Sequence, residues 1–183
     1  MDAAAELFAR DGVAAVSLRD VAAAADVHVS LITRYVGTRE ELIQAVFDQL
    51  ATAVARDVVE RPRQQHSFDR DSSLGRWLAI LAHWMLTGQD PGMALGAANP
   101  VQAMADVIAG HYGLEPREAR IRAAQIFGSA LGWRLFEPYL IEAAYLTDES
   151  RPDLHDELTD IHRRIAATGF SPAPDQALPA ESG

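Results

Sequence analysis

The sequence predicts an all-α protein, with a three-helix unit at the N-terminus and a larger helical bundle behind it. Apolar residues recur at helical spacing almost to residue 168, and glycine and proline cut that periodicity into segments. No strand-like alternation is sustained between hairpin turns. Alanine, the strongest helix former, is the commonest residue, and β-branched residues are scattered.

The elements follow in order. Ala4, Leu7 and Phe8 form one apolar face that stops at Asp11-Gly12, a glycine helix stop. Ser17-Leu18-Arg19-Asp20 is a capping box: the serine oxygen accepts the backbone N–H near Asp20 while the carboxylate reaches back. It opens a short helix with Leu18, Val21, Ala22 and Ala25 inward. After Asp26-Val27 another short helix carries Ile32, Tyr35 and Val36 and ends at Gly37. Thr38-Arg39-Glu40-Glu41 is a second capping box. It starts a long helix whose stripe, Leu42, Ile43, Val46, Phe47, Leu50, Val54 and Val58, runs to Arg61-Pro62.

Residues 61–73 are polar, have no stripe and read as a loop. Further helices are predicted at about 73–88, 99–112, 116–146 and 152–168, with Glu137-Pro138 as the place for a kink. Asp90-Pro91-Gly92 and Asn99-Pro100 mark turns. From Ser171 to Gly183, with Pro172, Pro174 and Pro179, almost nothing could build a core, and a disordered tail is predicted. The expected division is 1–45 for the first module, 46–170 for the second and 171–183 for the tail.

A chain of 183 residues is one large domain or two small ones. Its 26 acidic and 16 basic residues give a net charge of -10, which rules out a globally basic nucleic-acid coat. Every basic residue is arginine. Cysteine is absent, so neither disulfides nor a thiolate zinc site can form. The longest apolar runs, such as Trp77 to Leu86, fall far short of the roughly 18–20 residues that span a bilayer. Met1 is followed by Asp2 and Glu6 rather than a basic leader, so a cytoplasmic protein without membrane partners is expected.

Three short helices within residues 2–37, the last two tightly linked, have helix-turn-helix dimensions. In that motif the third helix enters a major groove about 12 Å wide, so its leading half must be slim, polar and exposed. His28, Val29, Ser30, Leu31, Thr33 and Arg34 supply small or hydrogen-bonding side chains there, while Ile32, Tyr35 and Val36 lie on or beside the buried face. The same spacing also suits an αα-hairpin inside a bundle.

The segment from Ala3 to Phe47 resembles the N-terminal signature of the TetR/AcrR family of transcriptional regulators. The matching elements are Ala-x-Glu-Leu-Phe before a glycine, a Ser-opened helix with Arg-Asp-Val-Ala, Ala-x-Val at the turn, Arg-Tyr-Val-Gly-Thr, then Arg39 and Glu-Glu-Leu. The resemblance implies a DNA-binding module in front of a divergent helical domain for effector binding and dimerisation. It implies that Ser17 and Arg19 touch phosphate and a base edge, and that Val29, Ser30 and Leu31 contact bases. Thr33, Tyr35 and Arg39 take positions that usually hold tyrosine, histidine and lysine on the DNA backbone. His28 and Arg34 join these candidates. In three places the sequence departs from the family: Thr33 for tyrosine, Asp26 for the turn glycine, and His28-Val29 for a commonly polar or basic pair. Met1 stands almost on the first helix, where the family usually carries an extra, often arginine-bearing segment.

The resemblance also implies a small-molecule effector in the second module. Trp77, Leu81 and Trp84 on one face, opposite Met104 and Ile108, could enclose an apolar cavity, with Phe127 and Gln125 as further candidates. Each of these side chains equally suits ordinary core packing. His155 and His162 are seven apart, about 10 Å along one helix, too far to share a metal ion, so the charge run around them reads as a solvated face. No nucleophile elbow, phosphate-binding glycine loop or paired acid/base carboxylates are recognisable, so neither an enzyme nor a cofactor is expected. The expected function is a homodimeric repressor on a pseudo-palindromic double-stranded DNA operator, joined through residues 120–146 and 152–168 and released by an apolar or amphipathic effector. The alternatives are a helical ligand-binding dimer with little or no DNA binding, and a small helical enzyme with an unrecognised site.

Overall fold

The computed structural model describes residues 1–61, 71–90, 92 and 98–168. Most of the predicted 61–73 loop, Pro91 of the Asp90-Pro91-Gly92 turn and the 171–183 tail lie outside these residues. Among those described there are α-helices, one 3-10 turn and no strand. The helices are α1 (Asp2–Asp11), α2 (Leu18–Ala24), α3 (Val29–Tyr35), α4 (Arg39–Glu60), α5 (Ser73–Leu86), α6 (Pro100–Tyr112), α7 (Pro116–Ala143) and α8 (Arg151–Thr168), with the 3-10 turn at Val13–Ala15.

Both predicted capping boxes form. Ser17 Oγ accepts from Asp20 N at 3.3 Å while Asp20 Oδ2 accepts from Ser17 N at 2.8 Å, and Thr38 and Glu41 repeat the exchange at 3.2 and 2.7 Å. Every residue of the predicted α4 stripe is buried. That stripe joins the two halves of the molecule. It shares a single core cluster with Ala4, Phe8, Val21, Ala22 and Ile32 from α1, α2 and α3 and with Trp77, Leu78, Ile80, Trp84 and Phe127 from α5 and α7. The expected division at residue 45 lies within the continuous helix α4. A smaller cluster, Ala105, Ile108, Ala119, Ala123, Ile126, Ile165 and Ala166, ties α6, α7 and α8 together.

α1 meets α5 at close quarters. A Cβ on Gly12, which has φ 84°, would sit 2.7 Å from Cδ2 of His83. Glycine is required there both by the left-handed backbone and by the packing.

Several expectations need correction. α7 runs through Pro138 as one helix, as expected, but stops at Ala143 rather than 146. The stop is a Schellman motif with Tyr145 at φ 57°: Leu146 N donates to Ile141 O and Tyr145 N to Glu142 O, at 2.9 and 3.2 Å. Ala25 faces out because it is the cap residue of α2. On α8, Asp156, Glu157 and Asp160 are exposed, but the histidines turn inward. His155 Nε2 is 3.1 Å from Oε1 of buried Glu137, which Arg151 also meets at 2.9 Å, and His162 Nε2 lies 3.1 Å from Ser129 Oγ. The face beside α7 is a polar seam rather than a solvated surface.

Candidate nucleic-acid interface

α2 packs Val21 and Ala22 inward and leaves Ser17 and Arg19 exposed at its N-terminal end. The hydrogen bonds from Ser17 hold the Asp20 carboxyl below its ordinary range. α2 ends in a Schellman motif: Val27 N donates to Ala22 O at 3.0 Å and Asp26 N to Ala23 O at 3.3 Å. The left-handed position belongs to Asp26, at φ 51°. This departure from glycine keeps the tight turn because aspartate tolerates that region better than most side chains.

The turn aims α3 outward. Ile32 is buried, and Val29 and Val36 pack half-buried against the core. Ser30, Leu31, Thr33 and Arg34 are exposed, and His28 stands exposed at the N-cap. Thr33 Oγ1 donates to Val29 O at 3.3 Å. Tyr35 is 76% exposed, against the expectation of a place on or beside the inner face. On a helix this short the inner stripe follows 29, 32 and 36, and position 35 has rotated off it. The Arg34 guanidinium lies 5.6 Å from the Tyr35 ring centroid. Gly37, at φ 106°, closes α3, and a Cβ there would collide with the Glu41 carboxylate that caps α4.

Arg39 occupies an unforeseen place. Its Nε donates to Val16 O at 3.1 Å and its Nη2 to Val13 O, so the guanidinium, half-buried, ties the first turn of α4 to the segment before α2. Only the side-chain coordinates could reveal this, since the motif is silent on which carbonyls lie within reach.

Five acids of this half are engaged within the chain. Asp2 accepts from Gln49 Nε2 at 3.0 Å, Asp11 pairs with Arg10 at 2.7 Å, and Asp48 accepts from Gln44 Nε2 at 3.2 Å. Asp20 and Glu41 serve as caps.

Residues 1–46 match the model of a family described as bacterial regulatory proteins, tetR family. Over 173 residues the chain is 31% identical to the HTH-type transcriptional repressor Rv3405c of Mycobacterium tuberculosis, with 90% of this chain and 86% of that protein covered. The HTH-type transcriptional regulator Mb3439c of Mycobacterium bovis is similar to the same extent. The chain belongs to the tetR family.

As a tetR-family protein it is a DNA-binding transcriptional regulator, not an enzyme. Among the described residues no helix is long and apolar enough to cross a membrane, and no cluster of His, Asp and Glu could hold a metal ion. The effector candidates are only partly brought together. Trp77 stands edge-on to Phe127 with centroids 5.8 Å apart, and Trp84 edge-on to Phe47 at 5.7 Å. Leu81 and Met104 pack on the same cluster, Met104 bordering the second cluster, where Ile108 lies. Gln125 is half-buried and lies around α7 from Ala123, Phe127 and Ala130. A groove of about 360 Å³ runs between the module and α5, lined by Val13, Ala14, Arg39, Glu40, Ile43, Trp84, Thr87 and Gln89.

Proposed function

We propose that the chain is a cytoplasmic homodimeric repressor whose two α3 helices enter successive major grooves of a pseudo-palindromic operator and are withdrawn by a small effector. The observation that carries the reading is the exposed α3, aimed outward by the Asp26 turn and flanked by exposed Arg19 and Arg34. Ser17 and Arg19 would meet phosphate at the α2 N-terminus. His28, Ser30 and Leu31 would face bases with Val29 behind them, and Thr33, Arg34 and Tyr35 would lie toward the backbone. Arg39 would chiefly hold α4 in register with α2.

Dimerisation through α7 and α8 is supported by the outer face of α7. Ile121, Phe136 and Tyr139 share it and are exposed, and a Cβ on Gly128 or Gly132 would meet nothing within 4 Å. Such a face admits a second helix closely, and Ile161 of α8 adds apolar surface. An effector among Trp77, Leu81, Trp84, Met104, Ile108, Gln125 and Phe127 is supported by Trp77, whose buried indole N–H has no acceptor among the described residues. An apolar molecule carrying one hydrogen-bond acceptor would satisfy it. To act as a switch, the effector must bind the withdrawn arrangement more tightly than the DNA-competent one. The α4 stripe and the Gly12–His83 contact would carry the shift.

The test is a gel shift on genomic fragments from around its own gene, across a range of salt. The expected result is a specific complex whose affinity falls steeply with salt. The absence of any specific complex would favour the helical ligand-binding dimer instead.

A further inference from the structure

We propose that Leu31 reads a thymine methyl, so that each operator half-site carries a T·A pair facing the first turn of α3. The inference rests on the DNA-binding reading above and specifies its target. In the major groove guanine is read by arginine or lysine, adenine by asparagine or glutamine, cytosine by a carboxylate, and thymine by apolar contact with its 5-methyl group. The leading residues of α3, Val29-Ser30-Leu31-Ile32-Thr33, include none of the first three kinds.

The structure narrows the readers further. Ile32 is buried and Val29 packs on the core, so neither can reach out. The Thr33 hydroxyl proton is given to Val29 O. Arg34, the one cation of α3, sits in its last turn beside the Tyr35 ring. Ser30 and Leu31 remain on the outward face, and Leu31 is 43% exposed. Val27, 41% exposed at the turn ahead of α3, extends the apolar surface. Exposed Arg19 and Arg34 give this patch cationic flanks, which suits a groove walled by phosphates rather than an apolar protein partner. Ser30, able to donate or accept, discriminates weakly, and His28 stands ahead of the helix at its N-cap, which leaves Leu31 as the determinant within the first turn of α3.

Selection of duplexes from a randomised pool with the full chain supplies the operator. Each selected thymine facing α3 is then replaced by deoxyuracil, which removes the methyl and keeps the pairing. Burying one methyl-sized group corresponds to a loss of about three- to fourfold per half-site, hence about tenfold for the two-fold operator. The expected result is that loss for the wild-type chain, with Leu31→Ala binding both duplexes alike. Equal binding of the two duplexes by the wild-type chain overturns the proposal while leaving DNA binding intact, as does a Leu31→Ala variant that still discriminates them. A pool that yields no retained duplex overturns the DNA-binding reading and the proposal together. If circular dichroism shows Leu31→Ala unfolded, the wild-type ratio alone decides.

Discussion

Replacing Arg39 by alanine separates a structural clamp from a phosphate contact. In the wild-type chain the guanidinium donates to Val16 O at 3.1 Å and to Val13 O. Hydrogen bonds from a charged group contribute about 1.5–3 kcal/mol each when buried. Here the side chain is half-buried at the edge of a groove, and water can solvate the freed carbonyls, so the pair together contributes about 2 kcal/mol. For a chain of this size that is a fall in Tm of about 4–8 °C. Lysine does not restore it, because one ammonium cannot span both carbonyls as the planar fork does. DNA affinity falls because α2 and α4 lose register, yet the salt dependence stays as it was. A direct phosphate contact behaves differently: its loss lowers the slope of log K against log salt by about 0.9 per subunit. Differential scanning calorimetry and salt-dependent binding isotherms measure the two quantities. An unchanged Tm with a slope lowered by about 0.9 per subunit would refute the clamp.

Other perturbations test the remaining joints. Asp26→Val puts a β-branched side chain at φ 51°, and chemical denaturation is expected to show a loss of about 1–2 kcal/mol. Glu137→Gln removes the buried carboxylate that meets Arg151 and His155, and a loss of about 1.5–3 kcal/mol is expected, visible also as weaker self-association in sedimentation. Burial pushes the His162 imidazole below its ordinary value. The unfolded chain therefore takes up a proton before the folded one does, and stability present above about pH 6.5 is lost as the pH falls through the folded value. Melting temperatures at pH 7.5 and 5.5 are expected to converge in His162→Gln relative to wild type.

Where many residues repeat one pattern, the sequence was sufficient. The seven-member α4 stripe and the two capping boxes are local and redundant, and they appear in the structure as read. The helix-turn-helix was legible for the same reason, with turn, cap and inner stripe all falling within 20 residues of one another. Short helices were harder: over the seven residues of α3 the pattern does not separate position 35 from 36, and Tyr35 went to solvent. Long-range partners were not legible at all. The carbonyls that hold Arg39 lie 23 and 26 residues away, and Glu137 finds His155 across 18. His155 and His162 looked like part of a charged surface because the residues around them are charged, although helical spacing alone places both on one face that α7 could cover.

The absence of cysteine permits a direct test of the central claim. Ser30→Cys, on the outward face of α3, creates a unique attachment point for a DNA-cleaving iron chelate. Bound to its operator, the labelled protein is expected to cut in two clusters related by the dyad, about 10–10.5 base pairs or a multiple apart, as two helices in successive major grooves require. Uniform cutting, or cutting no stronger than that from the same label on Tyr145→Cys just beyond the C-terminal end of α7, would contradict the placement of α3 in the groove.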